Sequence, residues 1–190
     1  MHPESRQALA ARIHGLSHIR GDFLLRSGVR STEYFDKYLF ESDPVCLSQI
    51  AAEMTDLLPP PPPSGERLLA GLELGGVPLA TLLGQRSGLP VLFVRKQAKE
   101  YGTCKLAEGP PFAGRELVLV EDVITSGGAV LDATRALREA GAVVNTVLAV
   151  IDRDSGGRAN LAAAGLDLRV LYTIHELKQA AAAATESPES

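Results

Sequence analysis

Residues Leu117–Val130 read LVLVEDVITSGGAV, and the order of residue types in this stretch decides the fold. Four apolar residues in succession describe a strand covered on both faces, as strands of parallel sheets are. Two acids, Glu121 and Asp122, come at its end, followed by the apolar pair Val123 and Ile124. Thr125, Ser126, Gly127 and Gly128 then turn the chain into a helix predicted over Gly127–Ala140, starting with Ala129 and Val130. Ligands of open parallel sheets bind beyond the carboxyl ends of the strands. A helix N-terminus preceded by small hydroxyl and glycine residues offers free N–H groups and a favourable dipole to an anion. The turn can therefore wrap a phosphate, and the two acids can accept hydrogen bonds from vicinal sugar hydroxyls. The plainer alternative is a helix capped by Ser126 beside two solvated acids. No G-x-x-x-x-G-K-[ST] occurs, and no G-x-G-x-x-G follows a strand, so the stretch fits neither a nucleotide P-loop nor a dinucleotide turn.

Working outward, strand and helix patterns alternate on both sides. Arg67–Gly71 and Val91–Arg95 are short apolar runs around a helical Val77–Gln85. Glu116–Asp122 precedes the central helix, whose buried stripe is predicted as Val130, Ala133, Leu137 and Ala140. Ala142–Arg153, Gly156–Ala164 and Asp167–Thr173 follow as strand, short helix and strand. Such alternation implies an α/β fold with a mainly parallel central sheet flanked by helices. Upstream, residues 4–15 read as a helix, Asp22–Arg26 and Glu33–Phe40 as extended runs, and Asp43-Pro44 as the start of another helix. That helix ends at Pro59–Pro63, a stiff extended connector. Lys178–Ser190 reads as an alanine-rich helix fraying into a polar, disordered tail.

The 190 residues suit one domain, and their apolar and charged fractions, 45% and 22%, match a soluble globular protein. No apolar run is long enough for a membrane span, and the N-terminus lacks a secretion-signal pattern. Two cysteines, Cys46 and Cys104, make no disulfide framework or zinc spacing, so a reducing cytoplasm is the expected compartment. A net charge of −4 argues against nucleic-acid binding. Yet Arg95, Lys96, Lys99 and Lys105 fall within eleven residues, which suits a small polyanion.

VLVEDVITSGGAV resembles the phosphoribosyl pyrophosphate-binding signature of the type I phosphoribosyltransferases. The resemblance implies that Glu121 and Asp122 face the ribose hydroxyls while Ile124 through Ala129 hold the 5-phosphate, with Val123 among the other phosphoribosyl pyrophosphate contacts. Four further segments are similar to the orotate branch of that family. Phe93–Gly109, FVRKQAKEYGTCKLAEG, resembles its mobile catalytic loop, implying that Arg95, Lys96 and Lys99 stabilise a pyrophosphate leaving group, with Tyr101 where several bacterial members have histidine. Phe23–Phe35, FLLRSGVRSTEYF, resembles the N-terminal hood. It implies a phosphate contact for Arg26, often lysine in the family, and packing of Tyr34 and Phe35 near a planar orotate. Ala70–Pro78, AGLELGGVP, resembles the pyrophosphate loop, where many bacterial relatives carry lysine and this chain has Gly75. Backbone N–H groups at Leu74–Gly76 would then bind pyrophosphate. Val150–Gly156, VIDRDSG, resembles the position at which an arginine grips the orotate carboxylate, here Arg153, beside a base-side contact from Thr125; its plainer reading is a surface ion pair with Asp152 or Asp154.

The resemblance implies a hood over residues 1–40, a phosphoribosyltransferase core over 41–175 and a tail over 176–190. It also implies substrates orotate and phosphoribosyl pyrophosphate, a magnesium ion held mainly by substrate oxygens, with Asp122 reaching it at most through water, and a homodimer with shared sites. Two rivals stand beside it: transfer to a purine or another base, and a non-catalytic sensor of phosphoribosyl pyrophosphate. Arg153 and the hood speak against the first, the cationic loop against the second.

Overall fold

The computed structural model describes residues 3–24, 28–63, 65–96 and 106–186. Helix α1 (Pro3–Ser17) leads into a hairpin of β1 (His18–Leu24) and β2 (Arg30–Phe35), paired antiparallel. Two helices follow, α2 (Lys37–Ser42) and α3 (Pro44–Thr55). The Asp43 carboxylate accepts from the Cys46 N–H at 2.7 Å, and Pro44 opens the first turn of α3. The proline connector is tied to the core by Arg67, whose buried guanidinium donates to the carbonyls of Pro59 and Pro60 and pairs with Glu116 at 2.6 Å.

The remaining elements are β3 (Arg67–Leu72), α4 (Gly76–Ser87), β4 (Val91–Val94), β5 (Ala107–Glu108), β6 (Glu116–Ile124), α5 (Gly128–Glu139), β7 (Val143–Asp152), α6 (Gly157–Ala163), β8 (Asp167–Thr173) and α7 (Ile174–Glu186). The sheet runs in the order β5-β4-β3-β6-β7-β8, parallel except at the β4–β5 edge. β6 therefore lies inside the sheet, and its alternating side chains enter two cores. Val118 and Val120 pack with residues of α1, α3, α4 and α7, while Leu117 and Leu119 pack with α5 and α6.

The α/β class and the parallel sheet agree with the sequence expectation, and four local readings change. The run Glu33–Phe40 is not extended throughout. The Asp36 carboxylate caps the Tyr38 N–H at 3.1 Å and starts α2, burying Phe40. Ala140 lies past the end of α5 and is exposed, and Thr134 joins the buried stripe instead. β5 stands where only a loop was expected. The last helix begins at Ile174, because Thr173 and Glu176 cap each other reciprocally, and it buries Leu177 and Ala180.

Candidate active site

Two cavities of about 550 and 490 Å³ lie beyond the carboxyl end of β6 and share a wall. Glu121, Thr125, Gly128, Ala129, Glu73 and Lys96 line both. The first cavity also takes Arg95 and Ser126, and the second takes Tyr34, Phe35, Lys37, Leu74, Val123, Ile124, Gly127 and Arg153. Residues from the hairpin, the β3–α4 turn, the β4 end, the β6–α5 turn and the β7 end thus converge on one place.

The turn after β6 is built for close backbone approach. Gly127 caps α5 with φ of 79°, a left-handed conformation that glycine adopts at little cost. The short helix α6 buttresses the turn from outside. Asn160 Nδ2 donates to the Ser126 carbonyl at 2.9 Å, and a Cβ on Gly157 would lie 2.3 Å from the Thr125 carbonyl oxygen. The Arg153 N–H donates to the Ile124 carbonyl at 2.9 Å, so the β7 end is stitched to the same turn.

Arg153 itself is exposed into the second cavity and has no ion pair among the described residues. The two acids beside it are engaged elsewhere: Asp152 faces Arg158 at 3.3 Å and Asp154 faces His175 at 3.7 Å. Its guanidinium fork stays open to a ligand carboxylate. Opposite it, Tyr34 and Phe35 border the cavity from β2, held down where the Asp36 N–H donates to the Ser17 carbonyl at 2.8 Å.

Arg95 and Lys96 follow β4, which pairs with β5 so that Phe93 opposes Glu108 and Val94 opposes Ala107. Lys96 is fixed at its base: its N–H donates to Glu73 Oε1 at 2.5 Å. Lys99 and Tyr101 lie outside the described residues, as does Arg26 in the hairpin turn.

Glu121 and Asp122 do not face one ligand side by side. Successive residues of a strand point to opposite faces, so Glu121 lines both cavities while Asp122 is fully buried on the other side. The two acids expected side by side at one ligand are thus separated: Glu121 borders the cavities and Asp122 is buried away from them. Asp122 instead meets Lys37 Nζ at 2.5 Å, with the Glu41 carboxyl packed beside it under Gly75. Gly75 likewise lines neither cavity. It is buried against this cluster, and a Cβ there would fall 1.6 Å from Asp122 Oδ2.

Burial pushes the Glu121 carboxyl up to about 8, helped by the Asp122 charge. Burial, then the hydrogen bond to Asp122, carry Glu41 up to about 9. Burial works to lower the Lys37 ammonium, but the bond to Asp122 and its charge outweigh this and raise it. At neutral pH a charged Lys37 thus stands beside a protonated Glu41.

Sequence reasoning missed Lys37, Glu41 and Glu73. Lys37 and Glu41 sit on α2, whose N-cap at Asp36 was the available signal. Nothing local marks Glu73, whose partner is 23 residues away.

A glycine-rich turn at the end of a central parallel strand, sharing its cavities with a hairpin and the basic end of β4, is the architecture of a phosphoribosyltransferase. The phosphoribosyl transferase domain model matches residues 63–181. The chain is 58% identical over 172 residues to an orotate phosphoribosyltransferase of a Nocardioides species, covering 90% of this chain and 94% of that one. It is 48% identical over 160 residues to that of Halobacterium salinarum, covering 84% and 89%. Among solved structures it resembles the Mycobacterium tuberculosis orotate phosphoribosyltransferase in complex with 5-phospho-α-D-ribosyl 1-diphosphate, at TM-score 0.76 and 28% identity over 91% of this chain and 98% of that one. The chain belongs to the orotate phosphoribosyltransferase family.

Proposed function

We propose that this chain transfers the 5-phosphoribosyl group of phosphoribosyl pyrophosphate to orotate, giving orotidine 5'-phosphate and pyrophosphate in pyrimidine nucleotide synthesis. The observation that carries the reading is the open Arg153 fork in the same cavity as the phosphate turn and the Tyr34–Phe35 edge. A carboxylated planar base needs such a cation; an unsubstituted purine does not.

The 5-phosphate sits on the N–H groups of Thr125–Ala129 at the α5 N-terminus. Glu121 takes the ribose hydroxyls and, once ionised, favours positive charge growing on the sugar ring. Orotate stacks against Tyr34 and Phe35, with its carboxylate on Arg153. The C–N bond forms as the bond from the anomeric carbon to the diphosphate oxygen breaks. The electron pair leaves with pyrophosphate, and the attacking ring nitrogen gives its proton to solvent. Arg95, Lys96 and Lys99 neutralise the departing charge. Arg26 and Tyr101 belong to the diphosphate side of this reading, with the backbone of Leu74–Gly76.

Magnesium suits this donor set. Glu121 Oε2 is buried without a hydrogen-bond partner among the described residues and borders both cavities, a hard oxygen that would hold the ion through water while substrate oxygens supply its other ligands. When bound, the ion draws charge from the diphosphate. The enzyme works in the cytoplasm as a homodimer in which the cationic segment of one subunit serves the site of the other.

Steady-state assays with orotate, uracil and hypoxanthine test the reading. Turnover of orotate alone supports it; turnover of either other base with orotate inert overturns it.

A further inference from the structure

The hood delivers a cation to the place where the β3–α4 turn has no side chain. Gly75 stands in the turn that borders the cavity through Glu73 and Leu74. Any side chain at 75 would run into Asp122 Oδ2, the oxygen that Lys37 Nζ meets at 2.5 Å. Asp122 and Glu41 therefore occupy the ground a residue-75 side chain would need, and Lys37, arriving from α2 rather than from the turn, brings its cation to that Asp122 oxygen.

Three features fit this ammonium for binding rather than for structure alone. Its side chain is one-third exposed, whereas Asp122 is fully buried, so the lysine is the solvent-facing member of the pair. It lines the second cavity together with Leu74, Lys96 and Thr125. An ammonium also carries three donors, and Asp122 engages only part of that capacity. With Asp122 on one side, the stem is held in place and the cation is pre-positioned for a second anion.

We propose that Lys37 is a diphosphate-binding residue of this site, supplying from the hood the side-chain cation that Gly75 leaves out. The proposal rests on the phosphoribosyl-transfer reading above. Asp122 is then a positioning residue: it holds the ammonium and does not touch the sugar. Glu41, protonated beside it, lets the glycine turn close over the pair without adding a second negative charge.

Titration calorimetry on the full chain with magnesium tests this, using phosphoribosyl pyrophosphate and ribose 5-phosphate as separate probes. Lys37→Met should weaken phosphoribosyl pyrophosphate by about 10- to 100-fold, the range of a lost charged hydrogen bond, and leave ribose 5-phosphate within about twofold of the parent. Lys37→Arg should recover most of the loss. Lys37→Gln keeps a donor for Asp122 without the charge, so it stands in for Lys37→Met if that variant does not fold, and should weaken the diphosphate ligand alone. Equal weakening of both ligands, or undiminished binding of phosphoribosyl pyrophosphate in Lys37→Gln, would overturn the proposal. A parent chain that binds phosphoribosyl pyrophosphate but turns over no orotate sinks the base assignment and leaves this proposal standing. Normal turnover with undiminished diphosphate binding in the variants does the reverse.

Discussion

At the scale of single residues, two side chains carry separable consequences. Arg153 is bound to neither neighbouring acid, so replacing it removes a ligand contact without breaking an ion pair. Arg153→Ala should raise the KM for orotate about 10- to 100-fold while the KM for phosphoribosyl pyrophosphate stays near the parent value. Arg153→Lys should recover only part of this, since a point charge cannot reproduce the two parallel bonds of a guanidinium. An unchanged orotate KM in Arg153→Ala would remove the carboxylate contact. Glu41 governs a pH effect. Its carboxyl rises from 4.5 to about 9 on folding, so the folded state binds a proton that the unfolded chain releases above 4.5. The stability tied to that proton is complete below about pH 4.5, declines as pH rises, and is gone above about 9, with a slope of at most about 1.4 kcal/mol per pH unit. Glu41→Gln keeps the neutral form at every pH, so thermal melts should show it gaining on the parent steadily from pH 5 to 9. A constant difference between the two would contradict a protonated Glu41.

At the scale of elements, the β6–turn–α5 unit depends on how closely α6 approaches it. Gly157→Ala would press a methyl group on the Thr125 carbonyl and the Ile124 side chain, at 2.3 and 2.5 Å. We expect a loss of about 1–3 kcal/mol of stability, read by denaturant melts, and weaker binding of ribose 5-phosphate; a variant with parental stability and affinity would show that α6 yields easily. The same unit was the most legible part of the chain. Its buried run, its acids and its glycines lie within fourteen residues, so local pattern and local structure coincide. Signals that depend on distant partners were not legible. The two residues of β5 are defined by their pairing with β4. Asp122 reads as a ligand beside Glu121 until both faces of β6 are seen to be covered and Lys37 arrives from 85 residues upstream. Two element boundaries carry local signals of their own. Asp36 begins a helix inside the run Glu33–Phe40, whose residue types read as extended, and Thr173-Ile-His-Glu176 is a capping box that starts α7 four residues before the expected Lys178.

At the scale of the whole molecule, the hood, the sheet edge and the cationic stem each contribute to one site, so assembly matters as much as any residue. Sharing of sites between subunits, as proposed above, predicts complementation. A Lys99→Ala chain and a Glu121→Ala chain, each nearly inactive alone, should recover about a quarter of parental activity when refolded together as mixed dimers. Inactive mixtures would confine each cationic segment to its own subunit. In the proposed reaction a sugar-phosphate cradle and a carboxylate-binding arginine act together. This is tested most directly by following orotate absorbance after adding phosphoribosyl pyrophosphate and magnesium to the purified chain. Absorbance should fall as orotidine 5'-phosphate and pyrophosphate appear in equal amounts, whereas steady absorbance with phosphoribosyl pyrophosphate bound and intact would contradict the account.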